Sequence, residues 1–124
     1  MKNILITGGA GYIGSHTAVE LIHAGYGVVI ADNLSNADTT CLEGVKKITG
    51  RDIPFYKADC CRKDQLLPIF REHRIDGVIH FAAFKAVGES VEKPLMYYHN
   101  NLLSLVTLLE VMVENGGGHV VFSL

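Results

Sequence analysis

Short, nearly all-apolar runs recur along the chain, at residues 3–7, 27–31, 54–57, 77–81 and 119–123. They do not alternate apolar with polar positions, which is the pattern of parallel strands covered on both faces. Longer stretches with a helical period lie between them. Residues 13–24 end at Gly25 and residues 38–49 at Gly50, and glycine is a natural helix stop. Residues 63–73 follow Asp59 and carry Leu66, Leu67, Ile69 and Phe70 on one side; Pro68 predicts a kink or a late start there. Residues 94–115 form the longest stretch, with Pro94 suited to a first turn and glycines 116–118 as the stop. The order βαβαβαβαβ predicts one α/β domain over residues 1–124. Right-handed crossovers narrow this to a doubly wound parallel sheet of about five strands in the order 3-2-1-4-5. No internal repeat, low-complexity tract or linker interrupts it.

Composition excludes several alternatives. With 48% hydrophobic and 19% charged residues, the 124-residue chain is not disordered. Eleven Lys and Arg against thirteen Asp and Glu leave a net charge of −2, so no basic field attracts nucleic acid or an anionic membrane. The longest near-apolar stretch, residues 102–113, is interrupted by Ser104, Thr107 and Glu110 and is too short to span a bilayer. The N-terminal apolar stretch is shorter than a secretory core, and the expected location is the cytoplasm. The three cysteines, Cys41, Cys60 and Cys61, have no metal-site spacing and read as reduced thiols. The six histidines do not cluster; His80, inside an apolar run, reads as a satisfied core residue, and no metal site is expected.

The most informative segment is residues 7–14, TGGAGYIG, where the first strand turns into the first helix. Gly8 permits a tight turn, Gly11 lets the backbone approach a pyrophosphate, and Gly14 lets the helix pack close on the sheet. The helix N-terminus offers unpaired N–H groups and the positive end of its dipole to phosphates. Asp32 lies 18 residues beyond Gly14. That spacing suits a carboxylate that accepts from both adenosine ribose hydroxyls and repels a 2′-phosphate, favouring NAD over NADP. The bland counterpart is a tight turn and a helix-capping aspartate.

Other polar residues follow predicted strand ends, the ligand side of such sheets: Asn33, Ser35 and Asn36 after the second, Asp59 after the third, Ala82, Ala83 and Lys85 after the fourth. Asp59 suits either an adenine amino group or the N-cap of the next helix. Lys85 suits either the cofactor ribose or plain solvation. Asn100 stands mid-helix, where asparagine is a poor helix former, so it has either a polar task or an exposed position.

Residues 7–15 (TGGAGYIGS), 32–34 (DNL), 78–89 (VIHFAAFKAVGE) and 90–101 (SVEKPLMYYHNN) together resemble the UDP-glucose 4-epimerases, extended short-chain dehydrogenases/reductases of the NAD-dependent epimerase/dehydratase family. The resemblance runs in order over nearly the whole chain. It implies a Rossmann-type domain whose NAD is touched by Gly8, Gly11, Tyr12, Ile13 and Gly14, with Asp32, Asn33, Ser35 and Asn36 at the adenosine ribose and phosphates. Asp59 and the backbone of Cys60 would flank adenine. Phe81, Ala82, Ala83 and Lys85 would line the nicotinamide side, with Asn100 nearby. Cys60 stands where the family mostly has isoleucine or valine, and Ala83 where it often has glycine. The helix near Pro94 is implied to join a homodimer; Leu102, Leu105, Leu108, Leu109 and Met112 permit this, while burial against the sheet explains many of them.

The implied reaction interconverts UDP-glucose and UDP-galactose through a 4-keto sugar, a step of galactose metabolism, with a UDP-hexose as substrate. It needs a Tyr-x-x-x-Lys pair as base. None of the five tyrosines, Tyr12, Tyr26, Tyr56, Tyr97 and Tyr98, has lysine four residues on, so no catalytic residue is assigned. The chain is therefore expected to be the N-terminal, NAD-binding part of a parent isomerase, truncated after strand five, without the sugar-binding domain and inactive alone. The alternatives are a stand-alone NAD-binding module or another extended reductase, such as a nucleotide-sugar dehydratase. An uncovered fifth strand speaks against the stand-alone module.

Overall fold

A computed structural model of the chain describes residues 2–8, 12–34, 40–81 and 94–122, with backbone alone at residues 12, 94–101 and 122. The elements are β1 (Asn3–Thr7), α1 (Tyr12–His23), β2 (Gly27–Asp32), α2 (Thr40–Thr49), β3 (Phe55–Lys57), α3 (Lys63–Glu72), β4 (Gly77–His80), α4 (Pro94–Glu114) and β5 (His119–Phe122). The strands form one sheet in the order β3-β2-β1-β4-β5, and every neighbouring pair is parallel.

Alternate positions of each strand feed opposite faces. Leu5, Val29, Ala31 and Val78 meet Leu66 and Ile69 of α3 and Leu108, Val111 and Met112 of α4. Ile6, Val28 and Ile30 meet Ala18 of α1 and Val45 of α2. Both faces are thus covered, which is why the strand runs are unbrokenly apolar rather than alternating. Each fully buried aliphatic side chain contributes about 1.5–3 kcal/mol relative to exposure.

Two sequence expectations shift. The helix after Asp59 starts at Lys63, five residues before Pro68, so the late start does not occur. Pro68 is exposed, and the turn of residues 59–62 begins the helix ahead of it. Strand β2 runs one residue further, so Asp32 ends the strand instead of following it, in register with Lys57 of β3. The starts of β1 and β4 are locked together: the Asn3 N–H donates to Asp76 Oδ2 at 2.9 Å and its Nδ2 to the Arg74 carbonyl at 3.0 Å. The Asp76 N–H returns a bond to the Asn3 carbonyl at 2.9 Å.

Candidate functional site

The carboxyl ends of β1, β2 and β4 converge because their exits are tied to one another by backbone bonds. The Gly8 N–H donates to the Ala31 carbonyl at 2.7 Å, and the Phe81 N–H donates to the Thr7 carbonyl at 2.8 Å. The Ala58 N–H donates to the Asp32 carbonyl at 3.1 Å, which adds the end of β3. The sheet reverses its winding between β1 and β4, so this is the crevice where open α/β sheets bind ligands.

Each loop has local chemistry that shapes it. Gly8 takes φ +75°, a left-handed conformation that a Cβ would strain, so the chain turns sharply out of β1. Helix α1 then begins at Tyr12, with Gly14 and Ser15 buried in its first turn and Ile13 exposed. Asp32 is only 8% exposed. Its Oδ1 accepts the Leu34 N–H at 2.8 Å, and Leu34 sits at φ +61°. This Asx-type turn aims the carboxylate locally and leaves Asn33 exposed.

At the end of β3, of the two alternatives for Asp59, the N-cap is not the one the structure takes. The residue before α3 is Arg62, and it makes no side-chain cap bond. Asp59 instead folds its own turn: Oδ1 accepts the Cys61 N–H at 2.8 Å, and its carbonyl accepts the Arg62 N–H at 2.9 Å. Gln65 Oε1 reaches back to the Asp59 N–H at 2.7 Å. The next two residues are unreactive thiols. Burial, with the nearby charge of Asp59, pushes Cys60 up to about 12. Burial and then Asp59 push Cys61 up to about 11. Both stay protonated at neutral pH, which disfavours a redox role, and none of the three cysteines is in a disulfide.

His80 is the satisfied core residue expected of it. It is 3% exposed; Nδ1 lies 2.6 Å from Thr7 Oγ1 and Nε2 lies 3.3 Å from Ser104 Oγ. Sequence reasoning passed over Thr7 and Ser104. The available signal was Ser104 as a polar break in an otherwise apolar helix.

The structure therefore brings Gly8, Asp32, Asn33, Asp59, Cys60 and Phe81 to one end of the sheet, beside Ile13 and Gly14 of α1. Tyr12 and Asn100 are placed by backbone only, on the first residue of α1 and in the first half of α4. Gly11, Ser35, Asn36, Ala82, Ala83 and Lys85 lie outside the described residues. Among the described residues no group of three or more His, Cys, Asp or Glu side chains is set to hold a metal ion. No helix among them is long and apolar enough to cross a membrane.

A cavity of about 510 Å³ opens at the opposite, amino end of the sheet, lined by Arg71, Arg74, Asp76 and the glycines that follow α4. Helix α3 ends there with Arg71 in its last turn, where a cation suits the helix dipole, and Arg74 pairs with Asp76 at 3.6 Å. It is remote from the convergent loops and is no part of this site.

The loops fit a dinucleotide by their own chemistry. Strand β1 exits through the left-handed Gly8 ahead of the helix N-terminus at Tyr12, and a pre-aimed carboxylate ends the neighbouring strand.

A family model described as GDP-mannose 4,6 dehydratase matches residues 5–122. The UDP-glucose 4-epimerase of Bacillus subtilis is 54% identical over 120 residues, covering 97% of this chain and 35% of the relative. The Bifidobacterium longum UDP-glucose 4-epimerase, solved in complex with NAD+ and UDP, superposes with a TM-score of 0.95 at 45% identity, covering 98% of this chain and 36% of that one. The Stenotrophomonas maltophila UDP-glucose-4-epimerase, solved with NAD and formylated UDP-arabinopyranose, gives a TM-score of 0.94 at 45% identity over the same shares. The chain thus spans about a third of the length of the curated relatives it matches.

Proposed function

The chain belongs to the family described as GDP-mannose 4,6 dehydratase, and from that premise we propose that it is the NAD-binding N-terminal part of a UDP-glucose 4-epimerase. The observation that carries the reading is the convergence of Gly8, Asp32 and Phe81, held by the backbone bonds between the exits of β1, β2 and β4. Gly8, Gly11, Tyr12, Ile13 and Gly14 would receive the pyrophosphate at the start of α1. Asp32 would accept from the two adenosine ribose hydroxyls, supported by Asn33, Ser35 and Asn36, and its charge would repel a 2′-phosphate. Asp59 and the Cys60 backbone would flank adenine. Phe81, Ala82, Ala83, Lys85 and Asn100 would line the nicotinamide side.

NAD supplies a hydride acceptor and donor for the sugar C4. This chain's own residues bind and orient it. None of its five tyrosines is followed four residues on by lysine, so the base that takes the sugar proton is not among them, and the chain alone is inactive in this reading. In the parent the substrates are UDP-glucose and UDP-galactose, the setting is galactose metabolism in the cytoplasm, and no nucleic acid or membrane takes part. A nucleotide-sugar dehydratase is the second reading, favoured by the description of the family model. The epimerase is preferred because relatives that are 47–54% identical carry that name.

We also propose that two copies pair through α4. Leu108 and Met112 are buried against the sheet, but Leu102, Val106, Leu109 and Val113 form an exposed stripe, with Leu103 beside it.

Calorimetric titration of the folded chain with NAD and NADP tests the cofactor reading. NAD binding, at least tenfold tighter than NADP, is expected, with no interconversion of UDP-glucose and UDP-galactose by the chain alone. A folded chain that binds neither nucleotide overturns the reading.

A further inference from the structure

Three buried polar groups form a line across the sheet just beneath the convergent loops. Thr7 Oγ1 lies 2.6 Å from His80 Nδ1, and His80 Nε2 lies 3.3 Å from Ser104 Oγ. Thr7, His80 and Ser104 are 0%, 3% and 1% exposed. Thr7 and His80 are register partners on β1 and β4, so their side chains share a face, the one covered by α3 and α4. Ser104 is on α4, and the bond to it spans the gap between sheet and helix. Among the described residues no buried side-chain nitrogen or oxygen lacks a partner, so the line is fully satisfied.

Each strand member sits at the root of a segment assigned to the cofactor: Thr7 before Gly8, His80 before Phe81. Ser104 is four residues from Asn100 on α4, which is one helical turn and about 6 Å along the axis. Because α4 runs back from the carboxyl end of β4, Asn100 lies on the crevice side of Ser104.

We propose that His80 is a positioning residue that holds α4, and with it Asn100, at a fixed height over the carboxyl ends of β1 and β4, and so sets the nicotinamide half of the cofactor site. The inference rests on the NAD reading above. It adds that the adenosine half, built on β1 and β2, does not depend on the link to α4.

The test compares NAD with ADP-ribose, which lacks nicotinamide, by calorimetry on the full chain. Ser104→Ala removes the hydroxyl that ties α4 to His80. It is expected to weaken NAD about fivefold to tenfold, the size of one buried hydrogen bond, and to leave ADP-ribose within twofold. His80→Gln, whose amide can still donate to Ser104, retains most of the difference between the two ligands, and His80→Leu loses it if that variant folds. Equal losses for NAD and ADP-ribose in Ser104→Ala, or no loss for either, overturn the proposal while the NAD reading stands. A wild-type chain that binds neither ligand overturns both.

Discussion

The Asp32 carboxylate accepts the backbone N–H of Leu34 at 2.8 Å, in a turn that holds Leu34 at φ +61°. One carboxylate oxygen is thus engaged by the chain as it leaves β2, which restricts the group before any ligand arrives. Asp32→Asn keeps an acceptor for Leu34 and removes the charge; Asp32→Ala removes both. A hydrogen bond to a charged group is worth about 1.5–3 kcal/mol, so Asp32→Ala is expected to weaken NAD by roughly 10- to 100-fold. Asp32→Asn is expected to narrow the preference over NADP with the fold intact. Calorimetry with both nucleotides checks this, and unchanged affinities in both variants refute the ribose role.

Two glycine substitutions are expected to act with opposite sign. Gly44 lies inside α2, and a Cβ there meets nothing within 4 Å. Gly44→Ala should stabilise by about 0.5–1 kcal/mol through the better helix former. Gly118 has φ +136°, and a Cβ would stand 3.2 Å from the Asp76 carbonyl oxygen, in a loop pinned beside the start of β4. Gly118→Ala should destabilise by about 2–3 kcal/mol. Thermal unfolding reads both; shifts of the same sign contradict the account.

The order of elements was legible because β1, β2 and β4 are covered on both faces, so nearly every position in them is apolar, while glycine marks the helix ends. Gly8 and the acid at the end of β2 were legible for a related reason: a left-handed exit from a strand and a turn closed by a side-chain carboxylate restrict residue type. The turn after β3 was not. Asp59 satisfies the same local preference whether it caps a helix or closes a turn on Cys61, and only the fold distinguishes these. Nor was the line from Thr7 to His80 to Ser104, whose members are 73 and 24 residues apart. Helix α4 is apolar on both its buried and exposed sides, so its pattern did not separate Leu108 from Leu109.

The buried Cys60 thiol makes stability sensitive to alkaline pH. Its folded value is about 12, against about 8.5 in an unfolded chain. The unfolded state therefore loses this proton first. Stability from the group is complete below about pH 8.5 and falls as pH rises towards 12, by up to about 1.4 kcal/mol per pH unit. Cys60→Val removes the titrating group and keeps a small apolar side chain. The variant should unfold at a more nearly constant temperature between pH 8 and pH 10.5 than the wild type. Parallel pH profiles contradict the assignment to Cys60.

The α4 stripe gives an expectation for assembly. Leu102 and Val113, 63% and 76% exposed, bracket Val106 and Leu109 at the spacing of one helix face. A contiguous apolar stripe of this kind marks an interaction surface on a folded domain. Buried against the same stripe of a second copy, related by a two-fold axis, each side chain would contribute about 1–2 kcal/mol. Val106→Glu and Leu109→Glu place charges at the centre of the stripe, on side chains that are 49% and 43% exposed and so contribute modestly to the core. The double variant is expected to sediment as a monomer where the wild type sediments as a dimer, with its NAD affinity unchanged because the stripe and the convergent loops are separate. Sedimentation at several concentrations checks this; a wild-type chain that stays monomeric at high micromolar concentration rules out pairing through α4.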